Sequence, residues 1–262
     1  MSVLKIEVKK TMKKLILIIA LLPFLSCANS NRNNIPEIAY GVERTTIIKN
    51  LDHQKWNALL QKHVSVNGNV DYKGFKEDIK LLQTYLDELS VNVPQKSWTK
   101  NAILAYWINA YNAFTVKLIL DNYPVKSIKD IKDPWGKKFF ALGNKKYSLE
   151  EIEHDILRKM NEPRIHFAIN CASFSCPKLA NYAYTENKLE TQLETASKTF
   201  VNDRTKNIIT NEKVEISKIF DWFSGDFKTN GTLIDFLNKY SIVKIKSSSK
   251  IKYKEYNWSL NE

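Results

Sequence analysis

The feature that most constrains the fold of this 262-residue chain is a long helix predicted over residues 99–122. Ser97 or Thr99 offers a side-chain oxygen for its N-cap. Pro124 ends the helix, because proline disfavours helical geometry in the residue before it. The many aromatic residues of this segment are typical of a helix that packs inside a core.

The other elements are predicted from apolar residues at helical spacing, from alternation and from turn residues. Ser148 and Glu151 form a capping box at one helix start, and Gly143-Asn144 supplies a hairpin turn. The order of elements predicts a single α+β domain, with a helix-rich first half and short antiparallel strands in the second half. The predicted elements are helices over 52–64, 75–89, 149–160, 186–200 and 231–240, hairpins over 139–147 and 207–216, and a buried strand over 164–171.

The N-terminus resembles the signal of an exported lipoprotein. A cationic start at Met12-Lys13-Lys14 precedes an apolar run, Leu15–Phe24, that is too short to span a bilayer. The next residues, through Ser26 and Cys27, resemble a lipobox, although an ordinary signal peptide with an incidental cysteine is the alternative. The chain is therefore divided into a signal peptide at 1–26 (for which Met12 is the better start), a lipidated Cys27 and tether at 27–44, and a globular domain at 45–262.

The formal net charge of the chain is +12, and it becomes +8 without the five lysines and one glutamate of residues 1–26. The remaining lysines are scattered apart from a mild cluster over 244–254, and no nucleic-acid motif is recognisable. We therefore expect no nucleic-acid partner. The expected partners are a membrane, through lipid on Cys27, and an envelope peptide or glycan. Because no acidic run follows Cys27, we expect a periplasm-facing location in the cell envelope.

Four sequence blocks resemble those of the domain of unknown function 547 family. They stand in the family's order, and the resemblance extends from about Trp56 to Tyr240. It implies no particular activity, so any function must be argued from the side chains. The blocks are AYWINAYNA at 105–113, LEEIEH at 149–154, RIHFAINCASFSCP at 164–177 and IFDWFSGDF at 219–227.

The third block and the residue that ends the second hold a cluster of groups with tunable pKa. A thiol beside an imidazole is the arrangement of a cysteine hydrolase or transferase. This predicts Cys171 or Cys176 as nucleophile, His166 or His154 as base, and Asp226 or an asparagine as the group that orients the base. If residues 164–171 form a regular strand, His166 and Cys171 point to opposite faces, which leaves Cys176 as the thiol that can fold back.

Structural alternatives oppose the enzyme hypothesis. Cys171 and Cys176 make an even pair in an oxidising compartment once the lipidated cysteine is set aside, so a local disulfide is feasible. Inert buried thiols are a further alternative. Asp226 can equally begin a turn, or form an ion pair with Arg158 or Arg164.

A second hypothesis is a ligand-binding or scaffolding domain without catalysis. Asn109 and Asn112 lie three residues apart on the long helix, and Asn170 and Arg164 belong to the third block. Buried amides must find partners. These four residues are predicted either to bind a ligand or, for the two helical amides, to fix a loop to the core.

A third hypothesis is a zinc hydrolase. Glu150 and His154 are spaced so that both can bind one zinc ion, and His166 with a cysteine would complete its four ligands. No His-Glu-x-x-His and no Cys-x-x-Cys string accompanies them. The sequence therefore predicts no metal site and no cofactor, and the zinc hydrolase stays as the weaker alternative.

Overall fold

The long predicted helix, α4 (Lys100–Asn122), lies inside the domain, and 17 of its 23 residues are buried. The side chain of Thr99 accepts a hydrogen bond from the amide of Ala102, which confirms the predicted cap. By length and composition alone, α4 could cross a membrane. In this structure, however, 89% of its most apolar 18-residue stretch is buried inside the protein. A computed structural model describes residues 50–262, which belong to one compact unit, and the predicted signal, Cys27 and most of the tether lie outside these residues.

Short helices precede and follow α4. The Ser148–Glu151 capping box is present, with hydrogen bonds in both directions. It begins a helical segment that continues as a π-helix, Glu151–Leu157, and a 3₁₀ turn, Arg158–Met160. The α-helices are α1 (Gln54–His63), α2 (Tyr72–Glu77), α3 (Ile79–Val91), α5 (Leu189–Asn202), α6 (Ile219–Trp222), α7 (Ser224–Phe227) and α8 (Leu233–Tyr240).

Two small sheets complete the α+β architecture. β1 (Phe140–Leu142) pairs with β2 (Lys145–Tyr147) in an antiparallel hairpin, and Gly143 takes a φ of +60° in its turn. β3 (Ile208–Ile209) and β4 (Val214–Ile216) form the second antiparallel hairpin. A further strand, β5 (Ile251–Tyr253), adds to β4 in parallel and was not predicted.

The predicted strand over residues 164–171 is wrong. Pro163–Phe167 is a 3₁₀ helix whose first turn is capped by the side chain of Glu162, which accepts from the amide of Arg164. Proline at the first position fixes a helical φ there. Residues 165–170 are all buried, so their alternation did not mark two faces of a strand. His166 and Cys171 therefore do not lie on opposite faces of a strand.

Two apolar clusters form the core. The larger contains α1 to α4 and includes Ile165 and Ile169, whereas the smaller contains residues of α5 to α8 and includes Phe167. The segment around His166 therefore contributes to both clusters. Its polar side chains lie where the two clusters meet.

Candidate functional site

A cavity of about 390 Å³ lies beside the segment 163–177. His154, His166, Cys171 and Cys176 all line it. Asp226 reaches it through a hydrogen bond to His166. The structure thus brings together the five residues that were predicted to be catalytic.

The Cys171 thiol is half-buried in the wall of this cavity and has three polar neighbours. Its Sγ lies 2.9 Å from Sγ of Cys176, 3.1 Å from Oγ of Ser173 and 3.3 Å from Oη of Tyr256. Ser173 and Tyr256 also share a hydrogen bond of 3.0 Å. Such neighbours stabilise a thiolate more than a thiol, because S–H and O–H groups can donate hydrogen bonds to the charged sulfur.

The two cysteines have unequal acidity. Hydrogen bonding from Cys176, Ser173 and Tyr256 outweighs burial and lowers the pKa of Cys171 to about 7. Burial and the nearby Cys171 raise the pKa of Cys176 well above its usual value. Cys171 is therefore the thiol that ionises near neutral pH, and Cys176 keeps its proton.

The loop that carries Cys171 has a strained backbone held by specific contacts. Ala172 takes a φ of +58°, in the left-handed region that non-glycine residues rarely occupy. Its amide donates to Oδ1 of Asn170 at 2.8 Å, and the amide of Cys171 donates to Sγ of Cys176 at 3.0 Å. Ser173 pairs with Leu260 in a β-bridge. These contacts fix the direction of the thiol.

Glu153 is a buried carboxyl group in the same cavity. It accepts a hydrogen bond of 3.2 Å from the hydroxyl of Tyr111. Burial, followed by the charge of Cys171, raises the pKa of Glu153 to about 7. Near neutral pH this carboxyl can therefore either give or take a proton.

Asp226 lies at the centre of a hydrogen-bond network. It accepts from Nε2 of His166 at 2.8 Å, and from Nε and Nη2 of Arg158 at 2.6 and 2.9 Å. Nη1 of Arg158 donates to Nδ1 of His154 at 2.7 Å. The ring of Phe223 stacks on His166 with centroids 4.0 Å apart. Arg158 thus contacts His154 directly and is connected to His166 through the carboxylate of Asp226.

The charges in this network follow from its contacts. Burial would raise the pKa of Asp226, but the hydrogen bonds from His166 and Arg158 hold it well below its usual range. Burial lowers the pKa of His166, and burial together with Arg158 lowers the pKa of His154. Both imidazoles are therefore neutral near pH 7. Because Arg158 donates to Nδ1 of His154, the proton of that ring is on Nε2.

The structure groups the predicted residues differently from the hypothesis. Asp226 accepts a hydrogen bond from His166, one of the two histidines predicted as its partner, and it also forms the ion pair with Arg158 that was the structural alternative. Within residues 50–262, no hydrogen bond joins either imidazole to a cysteine sulfur. Glu153 is the carboxyl group lining the cavity whose pKa is raised by Cys171, after burial.

The asparagines predicted to bind ligand hold the backbone instead. Asn109 donates to the carbonyl of Tyr184 and accepts from its amide, at 2.7 and 3.0 Å. Asn112 donates to the carbonyl of Ala168 and accepts from the amide of Asn170, at 2.9 and 2.8 Å. Both helical amides fix loops to the core, so the ligand-binding prediction has no geometric support at these two positions.

The other two predicted ligand residues also have protein partners. The side-chain Nδ2 of Asn170 donates to the carbonyl of Pro177 at 2.7 Å. Arg164 pairs with Glu162 at 2.7 Å and Glu190 at 2.5 Å, away from the cavity that holds Cys171. These contacts stabilise the 163–177 segment from its two ends.

The part of the chain that the structure describes does not provide the set of ligands that the zinc hypothesis requires. There, no group of three or more His, Cys, Asp or Glu side chains is arranged to hold a metal ion. Nδ1 of His154 is occupied by Arg158, and Nε2 of His166 is occupied by Asp226. The residues proposed as ligands line one cavity, but in the described residues they do not form a metal-binding group.

Sequence reasoning missed Glu153 and Tyr256. Glu153 stands four residues from each of Leu149 and Leu157, which are both fully buried. This spacing places Glu153 on the buried face of the helical segment, and the sequence alone could have indicated its burial. Tyr256 lies 85 positions after Cys171 and outside the four blocks. No local pattern marks it, and only the tertiary fold brings it to the thiol.

Comparison with protein families gives one match. Residues 95–201 match the family described as "Protein of unknown function, DUF547", and this range contains the first three of the four sequence blocks. Comparisons with curated proteins and with solved structures returned no match. The segment that carries α4, Glu153 and both cysteines is thus similar to the DUF547 family, as the sequence blocks predicted.

Proposed function

We propose that this domain is a thiol-dependent hydrolase or transferase that acts on peptide or other amide bonds, with Cys171 as nucleophile. One observation carries the proposal. A half-buried thiol with three hydrogen-bonding neighbours lies in the same cavity as a buried carboxyl group, and the pKa of each is about 7. Perturbed pairs of this kind cluster at catalytic sites.

The proposed reaction has two steps. The Cys171 thiolate attacks the carbonyl carbon, the S–C bond forms, the C–N bond breaks, and the leaving amine takes a proton from Glu153. Water or an acceptor amine then attacks the thioester and gives its proton to Glu153. The second step releases the acid or the new amide and restores the thiolate. No electrons are gained or lost overall.

The Asp226 network has a positioning role in this proposal. Arg158 fixes His154 with its N–H on Nε2, on a residue that lines the cavity. A neutral N–H donor of this kind can stabilise charge that develops on a carbonyl oxygen. His166, held by Asp226 and stacked under Phe223, closes the wall behind it.

Alkylation of the reduced protein tests the nucleophile. We expect Cys171 to react with iodoacetamide with a rate that is half-maximal near pH 7, because its thiolate predominates above that pH. Cys171→Ser should abolish the reaction at pH 7. Tyr256→Phe removes one hydrogen-bond donor and should shift the half-maximal pH upward. Peptide mass spectrometry locates the label.

Cys176→Ser is the matched control for this experiment. Serine keeps a hydroxyl that can donate to Cys171, so rapid labelling at pH 7 should persist. A half-maximal pH near 9 for Cys171 in the reduced wild-type protein, the ordinary value for a thiol, would contradict the proposal.

We further propose that the protein is exported and held to a membrane of the cell envelope through lipid on Cys27, with the domain facing the periplasm. The lipobox-like residues before Cys27 support this. An envelope peptide or glycan-linked amide would then be the accessible substrate. We expect Cys27→Ser to move the protein from the membrane fraction to the soluble fraction. Equal membrane content for both proteins, measured by immunoblotting after fractionation, would refute the anchor.

A non-enzymatic binding or scaffolding domain is the second candidate. It is favoured by the 2.9 Å separation of the two sulfurs and by the lack of an imidazole–sulfur hydrogen bond within the described residues. In this alternative, Cys171 and Cys176 form a structural disulfide. The intact mass of the exported protein, measured before and after reduction, decides between a bridge and two thiols.

A further inference from the structure

The cavity beside Cys171 has an aromatic wall, formed by Trp135, Trp222, Tyr256 and Trp258, which all line it. The rings of Trp222 and Trp258 stack with centroids 5.8 Å apart, and Tyr256 lies 4.5 Å from Trp258. Trp135 meets Trp258 edge-on at 5.6 Å. Trp222 is 45% exposed, which is unusual for a side chain of this size. The wall is therefore open to a ligand.

The charged residues that line the same cavity are acidic. Asp133 and Glu150 line it with exposed side chains, and Glu153 lies deeper. Among the described residues, no lysine or arginine lines this cavity, although the chain contains 40 of them. The nearby Arg158 is neutralised by its ion pair with Asp226. The cavity is thus negative in a chain whose net charge is positive.

One face of the aromatic wall already accepts a cation from the protein itself. Nζ of Lys129 lies over the ring of Trp258, 5.3 Å from its centroid. Lys129 does not line the cavity. Ammonium groups are attracted to the faces of tryptophan and tyrosine rings, most strongly where carboxylates add to the field.

We propose that this cavity binds a substrate carrying an ammonium group, such as the side chain of a lysine-like residue, next to the amide bond presented to Cys171. The inference rests on the proposed function and adds its substrate class. Aromatic rings would cover the methylene chain and the cation, while Asp133 and Glu150 would supply the opposite charge. An anionic substrate of the same shape would be repelled.

Maleimides of similar size but different charge test this proposal on the full-length reduced protein. The probes are N-(2-trimethylammonioethyl)maleimide, N-ethylmaleimide and N-(2-carboxyethyl)maleimide, which differ mainly in charge and form stable thioethers. The ratio of the cationic to the anionic rate is measured at Cys171 by peptide mass spectrometry. N-acetylcysteine amide serves as the reference thiol. We expect the protein's ratio to exceed the reference by on the order of tenfold at low salt and to fall at high salt.

Variants separate the contributions to this ratio. Glu150→Gln and Asp133→Asn should each lower it by roughly threefold, because each removes one charge from the cavity. Trp222→Leu should slow the cationic probe and leave the anionic probe unchanged. Glu212→Gln is the matched control, since this exposed glutamate lies in the β3–β4 turn and does not line the cavity, and it should leave the ratio unchanged.

The outcomes distinguish the two proposals. A ratio equal to that of the reference thiol, with a half-maximal pH near 7 for N-ethylmaleimide, would overturn the ammonium inference and leave the nucleophile in place. A half-maximal pH near 9, or no reaction of Cys171 with the neutral probe, would overturn the proposed function itself. Protection of Cys171 from N-ethylmaleimide by choline, but not by its neutral isostere 3,3-dimethylbutan-1-ol, would support both.

Discussion

Replacing Asn112 with alanine should lower the free energy of unfolding by about 2 to 6 kcal/mol. Its side chain satisfies two buried backbone groups, the carbonyl of Ala168 and the amide of Asn170. Leaving one buried group without a partner costs about 1–3 kcal/mol, and alanine leaves two. Chemical denaturation followed by circular dichroism measures the change. Because these contacts position the start of the Cys171 loop, the low pKa of the thiol should be lost as well.

Asn122→Ala provides the matched comparison on the same helix. The side chain of Asn122 is exposed and donates to the carbonyl of Leu118 at the end of α4. Water can replace that contact, so we expect a loss below about 1 kcal/mol. If Asn112→Ala is no more destabilising than Asn122→Ala, the two-point contact does not hold the loop.

Replacing Glu153 with glutamine should stabilise the domain at pH 8 by about 3 kcal/mol while removing the proposed proton transfer. The pKa of Glu153 is raised from 4.5 to about 7 in the folded protein. Each unit of that shift corresponds to about 1.4 kcal/mol. Glutamine carries no charge and keeps an oxygen that can accept from Tyr111, so the cost of ionising a buried group disappears.

The pH dependence of this effect has a defined sign. Between about pH 4.5 and 7 the folded protein holds a proton on Glu153 that the unfolded chain has released, so wild-type stability falls as pH rises through this window. Below pH 4.5 both states are protonated, and the variant should match the wild type. Denaturation midpoints at pH 4 and pH 8 measure the difference.

Glu150→Gln is the control for the Glu153 experiment. Glu150 lies on the same helical segment, but its side chain is exposed. We expect stability within about 0.5 kcal/mol of the wild type at both pH values. Equal effects of the two substitutions would mean that Glu153 is not held in a desolvated environment, and its proposed acid–base role would fail with it.

Local signals in the sequence predicted much of the fold. The cap at Thr99, the capping box at Ser148 and the turn at Gly143 depend on residues within four positions of one another, and all three are present. The hairpin formed by β3 and β4 is also local. Such features can be read from a single sequence because their hydrogen bonds do not depend on the rest of the chain.

The site was less predictable because tertiary contacts decide it. Alternation over residues 164–171 is compatible with a strand, but Pro163 and the cap from Glu162 favour a 3₁₀ turn that is buried on all sides. A pairing of Asp226 with His166 or His154 was inferred from residue type alone, and the structure has the hydrogen bond to His166. The sequence predicted an imidazole as the hydrogen-bond partner of the thiol, whereas in the structure Tyr256 and Ser173 contact the sulfur of Cys171.

The contact between Cys171 and Tyr256 has a consequence for the order of events during folding. The two residues are separated by 85 positions, so the chain must close a long loop before the hydroxyl reaches the sulfur. The bridge between Ser173 and Leu260 closes at the same stage. A partly folded chain that has α4 in place but lacks this closure carries a thiol of ordinary acidity. The low pKa of Cys171 is thus acquired only when the domain is complete, which keeps the thiol of an incomplete chain largely protonated at neutral pH.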